Sequence, residues 1–210
     1  IERLMEDRQV TLLRGYGEFV DAHCVRVNNQ VLRADHILIC TGSTPQADPQ
    51  FNIDGATIGT SDDLLAWESL PRSMLIVGSG IIACEFAFVL DSLGVDVTVL
   101  ASGPRLMSHA DKDISSVLQR EMRKRGIKVQ LNCRIQSLTH TSEGVSAYAD
   151  DKIVGAAERA LVAVGRCANT AGIGLEAAGI RTNEWREICV DDVLRTNVPY
   201  IYAAGDVNGR

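Results

Sequence analysis

The feature of this sequence that most restricts its fold is the hexapeptide Gly78-Ser79-Gly80-Ile81-Ile82-Ala83, which has the pattern G-x-G-x-x-A. It joins an apolar strand-like segment to a helix-like one. The first Gly allows a tight turn, the second lets the backbone approach a ligand, and the small third residue allows close helix–strand packing. The N–H groups that begin the helix attract an anion. We therefore predict that this turn binds the pyrophosphate of a nicotinamide dinucleotide, in preference to a turn that binds nothing.

The segments around this turn alternate between strand and helix patterns. Apolar residues of the second helix pattern recur at helical spacing, at Ile114, Val117, Leu118 and Met122. Alternation with short connections predicts parallel pairing and right-handed crossovers. We expect an α/β fold, a Rossmann-like three-layer domain with a parallel sheet and a β-meander, from Ser73 to about Gly165. Its expected elements are strand Met74–Val77, helix Ile81–Leu93, strand Val97–Leu100, helix Asp111–Arg125, strand Ile127–Leu131, a hairpin within Arg134–Tyr148 and strand Ala160–Val164.

The flanking segments have mainly strand patterns. Residues 44 to 60 carry two prolines and turn residues, which favours a linker. His36–Cys40 is an unbroken apolar run, typical of a strand that is covered on both faces. The remaining expected strands are Val10–Leu13, Gly17–Val20, Cys24–Val27, Val31–Arg33 and Tyr200–Ala204.

Composition excludes several classes of function. The net charge of −6 argues against a nucleic-acid partner, and no apolar stretch is long enough for a membrane span. The six cysteines form neither a C-x-x-C pair nor a zinc motif, which favours reduced thiols in the cytoplasm and no metal site. The chain begins with Ile1 and ends at Arg210, just after a strand and a turn, so we expect a piece of a longer protein.

The residues after the second strand bear on nucleotide choice. In dinucleotide-binding folds an acidic residue about 20 positions after the glycine turn binds the adenosine ribose. Here that place is Ala101-Ser102-Gly103, without an acid, and the first arginine is Arg105. Ser102 can donate to the sugar of either nucleotide. The absence of a repelling carboxylate slightly favours NADP over NAD, and both stay open.

Four motifs in order give the chain a family resemblance. They are Cys40-Thr41-Gly42-Ser43-Thr44-Pro45, the glycine turn with Glu85, Val164-Gly165-Arg166-x-x-Asn169-Thr170, and Tyr200-Ile201-Tyr202-Ala203-Ala204-Gly205-Asp206. This order resembles the pyridine nucleotide–disulfide oxidoreductases, which include dihydrolipoamide dehydrogenase, glutathione reductase, mercuric reductase and soluble transhydrogenase. The match covers nearly the whole chain.

The resemblance implies two cofactors, FAD and NAD(P)H. It implies a partial FAD domain with its linker at residues 1–60, an NAD(P)-binding domain at 61–170, and a return to the FAD domain at 171–210. Residues implied to contact FAD are Thr41, Gly42, Ser43 and Asp206, the last on the ribitol chain. Beyond the glycine turn and Ser102, residues implied to line the NAD(P) site are Glu85 beside the nicotinamide and flavin, Ala101, Ile135 and the backbone of Gly165.

Three family features are not found in the sequence. They are an N-terminal G-x-G-x-x-G, the C-x-x-x-x-C redox pair and the catalytic His-Glu pair of the dimerisation domain. We therefore assign no catalytic residue and expect this piece to be inactive alone. In the full, dihydrolipoamide dehydrogenase-like enzyme, a homodimer, hydride would pass between NAD(P)H and flavin. The alternatives are a non-catalytic NAD(P) module or sensor, and an NADH oxidase or transhydrogenase without the disulfide.

Overall fold

The computed structural model describes residues 2–210, which form two compact units. One unit contains the chain up to Thr44 together with Cys167–Arg210, and the other contains Pro45–Arg166. The helices are α1 (Glu2–Asp7), α2 (Ser61–Ala66), α3 (Ile81–Ser92) and α4 (Lys112–Arg125). The strands are β1 (Gly17–Asp21), β2 (Cys24–Val27), β3 (Gln30–Arg33), β4 (Ile37–Ile39), β5 (Ser43–Pro45), β6 (Ile58–Gly59), β7 (Ser73–Val77), β8 (Asp96–Leu100), β9 (Lys128–Gln130), β10 (Ser137–Thr141), β11 (Gly144–Ala149), β12 (Lys152–Ala157), β13 (Arg159–Val162), β14 (Arg166–Ala168) and β15 (Ile201–Ala203).

A five-stranded parallel sheet forms the centre of the 45–166 unit, in the order β6-β13-β7-β8-β9. Side chains of β7 alternate between its two faces because successive residues of a strand point to opposite sides. Met74 and Ile76 pack among residues of α3 and α4, and Leu75 and Val77 pack against the antiparallel meander β10-β11-β12. The predicted α/β class, with helix, sheet and meander layers, is confirmed.

The helix ends in this unit follow capping rules. Asp111, at the N-cap of α4, accepts a hydrogen bond from the backbone of Asp113 through its carboxylate. Gly126 ends α4 with a φ of 89°, and Arg123 to Arg125 place positive charge at its C-terminal end. These interactions fix where α4 starts and stops, so its observed bounds agree with the predicted ones.

Residues 44 to 60, which we expected to form a linker, contain a short helix at Pro49–Phe51 and the strand β6. Phe51 and Ile58 are 3% and 0% exposed, and β6 adds an edge strand to the parallel sheet through β13. Asp54 organises this segment, because its Oδ1 accepts hydrogen bonds from three successive backbone N–H groups, at Ala56, Thr57 and Ile58. The turn residues therefore build an ordered loop, and the compact unit begins at Pro45.

Two other expectations differ in detail. Val10–Leu13 forms no strand, since these residues pair with no neighbouring strand within residues 2–210. In α4, Ile114 and Val117 are 58% and 47% exposed, whereas Ser115 is buried. The hydroxyl of Ser115 donates to main-chain carbonyl groups of the preceding loop, so this polar residue is satisfied inside the unit.

The other unit combines an antiparallel sheet, β1-β2-β3, with a parallel pair, β4 and β15. Phe19, Ile39, Ile188 and Ile201 belong to its core. Leu38, in β4, is 62% exposed, so the expectation that His36–Cys40 is covered on both faces does not hold in this chain. Within residues 2–210 this sheet has only these two strands.

Candidate functional site

The glycine turn lies at the carboxyl end of β7 and begins α3. Gly78 has a φ of 138°, and its backbone N–H donates to the carbonyl of Leu100 at 3.0 Å, which holds the turn against β8. A side chain at Gly78 would collide with the carbonyl oxygen of Ala163. Ala83 is fully buried, so its small size lets α3 lie close on the sheet. Gly78 and Ala83 thus have the structural roles that the motif predicts.

The start of α3 presents unpaired backbone donors. None of the N–H groups from Ser79 to Ala83 has an acceptor within residues 2–210, since the first helical bond runs from Cys84 to the carbonyl of Gly80. The first turn of α3 carries no acidic side chain. A methyl group at Gly80 would meet no atom within 4 Å. The turn is therefore open and electropositive, which is the environment that an anion requires.

A cavity of about 610 Å³ lies over this turn. Its far wall is the loop after β8, which is tied to the turn by a 2.7 Å hydrogen bond from Met107 N to Ser79 O. The carboxyl ends of β7 and β13 form its floor, as expected for ligand sites in parallel sheets. The cavity is lined by Pro45, Ser61, Gly78, Ser79, Gly80, Ile81, Ile82, Ser102, Met107, Ser108, His109, Ala110, Val162, Ala163, Val164, Gly165 and Arg166.

A second cavity, of about 250 Å³, adjoins the first at Gly78, Ser102 and Val164, which line both. Its lining includes Phe51 and Ile135, both nearly fully buried. The cavity is lined by Gln46, Asp48, Gln50, Phe51, Val77, Gly78, Leu100, Ser102, Cys133, Arg134, Ile135 and Val164. The two cavities together form a cleft along the carboxyl ends of β7, β8 and β13.

Most of the residues predicted to bind NAD(P) line this cleft. Three do not. Ala83 supports α3 from below, Ala101 is fully buried with both backbone groups bonded to neighbouring segments, and Glu85 is exposed on α3 outside both cavities. Gly165 lines the larger cavity with a φ of 148°, and its carbonyl accepts from Gln46 N at 3.0 Å. The predicted contacts of Glu85 and Ala101 with a cofactor stay predictions.

A family comparison bears directly on this arrangement. The model of the family described as pyridine nucleotide-disulphide oxidoreductase matches residues 1–210. The chain belongs to this family. The resemblance inferred from the four motifs is thereby confirmed.

Relatives carry several names. The chain is 34% identical over 213 residues to the dihydrolipoyl dehydrogenase of Chlamydia pneumoniae, covering 100% of this chain and 46% of that protein. It is 34% identical over 211 residues to a Mycobacterium tuberculosis NAD(P)H dehydrogenase (quinone), covering 95% and 43%. The HOCl-induced flavoprotein disulfide reductase RclA from Escherichia coli superimposes with a TM-score of 0.89 at 29% identity, covering 99% and 49%. The chain spans about half the length of these relatives.

In this chain, the residues predicted to contact FAD come together within the unit that contains β4 and β15. These strands are parallel, so Thr41 to Ser43 and Asp206, which follow them, lie at the same edge. Ser43 Oγ donates to Asp206 Oδ2 at 2.7 Å. Asn169 holds the same edge, since its Nδ2 donates to Thr41 O at 2.9 Å and its backbone N–H donates to Gly42 O.

The cysteines of this chain are all free. Cys84 lies directly beneath the glycine turn, with Sγ 3.8 Å from Ser79 O. Burial, aided by the charge of Glu85, raises the pKa of the Cys84 thiol to about 11. No cluster of three or more His, Cys, Asp or Glu side chains suited to a metal occurs within residues 2–210. None of the helices in that range has the length and apolar character needed to cross a membrane.

Several residues of the cleft were not predicted from the motifs. Each follows the carboxyl end of a strand: His109, Arg134 and Gln46 lie in the loops after β8, β9 and β5, and Ser61 begins α2 after β6. The rule that ligands bind at this edge of a parallel sheet would have indicated the loops. It would not have selected the side chains, since their positions depend on the path of each loop.

Proposed function

We propose that the 45–166 unit binds a reduced nicotinamide dinucleotide, with its pyrophosphate on the backbone N–H groups of the glycine turn. The unpaired donors from Ser79 to Ala83 carry this proposal. The N–H groups at a helix start have no acceptor within the helix, so they need one from elsewhere. A diphosphate supplies several acceptor oxygens and two negative charges. The chain's residues therefore fit the phosphate portion of NADH or NADPH.

The two cavities suggest how the rest of the nucleotide lies. The ribose of the adenosine half belongs at the end of the second strand of such folds, which here is Ser102 at the end of β8. The smaller cavity, with apolar Ile135 and Phe51 below, would then take the adenosine half. The larger cavity, bounded by Gly165 and Val164, would take the nicotinamide half.

For the whole protein we propose a flavoprotein oxidoreductase like dihydrolipoamide dehydrogenase, with hydride transfer between NAD(P)H and FAD. Gly42 and Gly205 leave open space beside their backbones, so a flavin nucleotide can approach the edge that holds Thr41, Ser43 and Asp206. The flavin would supply the redox chemistry, and this edge would hold its sugar chain. The contact of Glu85 with the nicotinamide, a homodimeric state and a cytoplasmic location belong to the same proposal and remain predictions.

The final electron acceptor divides the proposal into two candidates. Relatives of equal identity are named a dihydrolipoyl dehydrogenase and an NAD(P)H dehydrogenase (quinone). A disulfide acceptor requires a redox cysteine pair, and a quinone acceptor does not. Both candidates share the nucleotide-binding step, so a test of that step does not depend on the acceptor.

Calorimetric titration of the purified chain with NADH and with NADPH tests this step. We expect a dissociation constant between about 1 μM and 1 mM for at least one of them, equivalent to about −8 to −4 kcal/mol. Absence of heat, together with an unchanged melting temperature at millimolar nucleotide, would contradict the proposal.

Substitution of Gly80 tests the location. Gly80→Val should abolish binding, because a branched side chain would occupy the place of the pyrophosphate. The same change should leave the melting temperature nearly unaltered. The backbone angles at Gly80, φ −79° and ψ −172°, suit any residue, and an added Cβ would meet no atom within 4 Å. Gly80→Ala provides a graded control and should weaken binding less. Full affinity in the valine variant would place the nucleotide elsewhere.

A further inference from the structure

The smaller cavity contains one basic side chain, Arg134, just after β9. Arg134 is exposed and lines this cavity next to Ile135. Its guanidinium makes no hydrogen bond or ion pair within residues 2–210. An arginine presents five N–H donors in a planar fork that matches a phosphate group. Arg134 therefore has free donors beside the cavity that we propose for the adenosine half.

Arg105 does not offer the same opportunity, although it is the first arginine after β8. Its Nη2 donates to the carbonyl of Ser108, within its own loop, whereas its Nη1 is buried without a partner within residues 2–210. Arg105 lines neither cavity. The basic residue that shares the smaller cavity with Ser102 is thus Arg134, from the segment after β9, which the spacing of residues after β8 does not reveal.

Few acidic side chains surround the smaller cavity. Where an acid would bind the ribose hydroxyl groups, β8 is followed by buried Ala101 and exposed Ser102. Asp48 is the one carboxylate that lines the cavity, within the described part of the chain. Its two oxygens accept hydrogen bonds from the backbone N–H and the side-chain amide of Gln50, at 3.1 and 2.8 Å. The carboxylate of Asp48 is therefore already engaged by Gln50, in the short helix at Pro49–Phe51.

We infer that Arg134, together with the hydroxyl of Ser102, binds the 2′-phosphate of the adenosine ribose, so that the chain prefers NADPH to NADH. This inference rests on the proposed nucleotide site and names its specificity-determining residue. The 2′-phosphate adds a dianionic group at the sugar, which is repelled by an acid at this position and attracted by a guanidinium. NADH would still occupy the cleft through its pyrophosphate but would leave Arg134 without a ligand.

Binding of NADPH and NADH to the full chain, measured side by side, tests the inference. A charge-assisted, bidentate phosphate contact should make the affinity for NADPH about tenfold or more higher than that for NADH. The pair 2′-phospho-ADP-ribose and ADP-ribose, which lack the nicotinamide, should show the same ratio. Arg134→Gln should remove most of the difference by weakening only the 2′-phosphorylated ligands.

Arg123→Gln is the matched control. Arg123 is an exposed arginine near the end of α4 that lines neither cavity, so its loss changes net charge equally without affecting the ratio. Ser102→Glu, at an exposed position, should weaken NADPH more than NADH. Equal affinities for both nucleotides, or an Arg134→Gln variant with an unchanged ratio, would overturn the inference and leave the nucleotide site standing. If neither nucleotide binds, the proposed site itself is overturned.

Discussion

The two parallel sheets of this chain differ in how completely they are covered. In the 45–166 unit, β7 lies between two neighbouring strands, and four of its five residues are buried, with helices on one face and the meander on the other. In the other unit, β4 and β15 form a two-stranded pair, and Leu38 projects with 62% of its surface exposed. Parallel sheets are stable when both faces are covered, and isolated strand pairs are marginal. The first sheet is therefore a complete core, whereas the second depends on one covered face.

The same contrast extends to the candidate sites. At the glycine turn the polar groups are backbone donors at a helix start, without acceptors within residues 2–210. At the edge with Asp206 several groups are already paired with one another, including Ser43 with Asp206 and Asn169 with Thr41. The donors of the first candidate site are therefore free for a ligand, and all of them belong to one unit. The second is held in shape by internal hydrogen bonds, and a ligand would have to share or replace them.

The largest expected effect comes from matched leucines in the two sheets. Leu75→Ala, at a fully buried position of β7, should lower the free energy of unfolding of its unit by about 3 kcal/mol, since it removes buried methyl groups and leaves a cavity. Leu38→Ala, in β4, should change it by no more than about 0.5 kcal/mol. Chemical denaturation with a probe in each unit measures both. Comparable losses at the two leucines would show that β4 is covered in solution.

A smaller effect separates two glycines that follow strands. Gly78→Ala should cost about 2 kcal/mol, because φ is 138° and the added methyl group would collide with Ala163 O. Gly42→Ala should cost about 1 kcal/mol, because its φ of 67° is strained for alanine but no atom lies within 4 Å. Thermal unfolding of each variant gives the difference. An alanine tolerated equally at both positions would show that the turn after β7 relaxes.

The sequence predicted the complete core better than the partial one, for a physical reason. Periodicity identified β7, α3, β8 and α4 because their side chains meet neighbours that lie close in the chain. It failed for Ile114 and Val117, because the rotation of α4 is set by the burial of Ser115, whose hydroxyl bonds to the preceding loop. A hydroxyl that is satisfied by main-chain carbonyls has no signature in a hydrophobic pattern.

The residues of the candidate site likewise include some that the sequence predicts and some that it does not. The glycine turn was predictable because each of its residues has a local conformational role. Arg134 and Gln46 were not, since they reach the cleft from strands that are distant in sequence. For Glu85 and Ala101 the family resemblance implied contacts, but the geometry of this chain places neither of them in the cleft wall. Local chemistry is thus visible in the sequence, whereas convergence of loops requires the fold.

The last comparison uses the alkylation rates of cysteines in the two units and needs no substitution. Burial beneath the glycine turn raises the pKa of Cys84 to about 11, so at pH 8 only about one thiol in a thousand is ionised. Cys40, Cys167 and Cys189 belong to the other unit and are exposed. Alkylation with iodoacetamide, followed by peptide mass spectrometry, should therefore modify these three well before Cys84.

The raised pKa of Cys84 also predicts how its alkylation rate depends on pH. That rate should keep rising up to about pH 11, if the unit stays folded. Bound NADPH should slow it further, because the ligand closes the turn above the thiol. Early modification of Cys84 at pH 8 would mean that α3 opens readily, and the complete core described for the 45–166 unit would have to be revised.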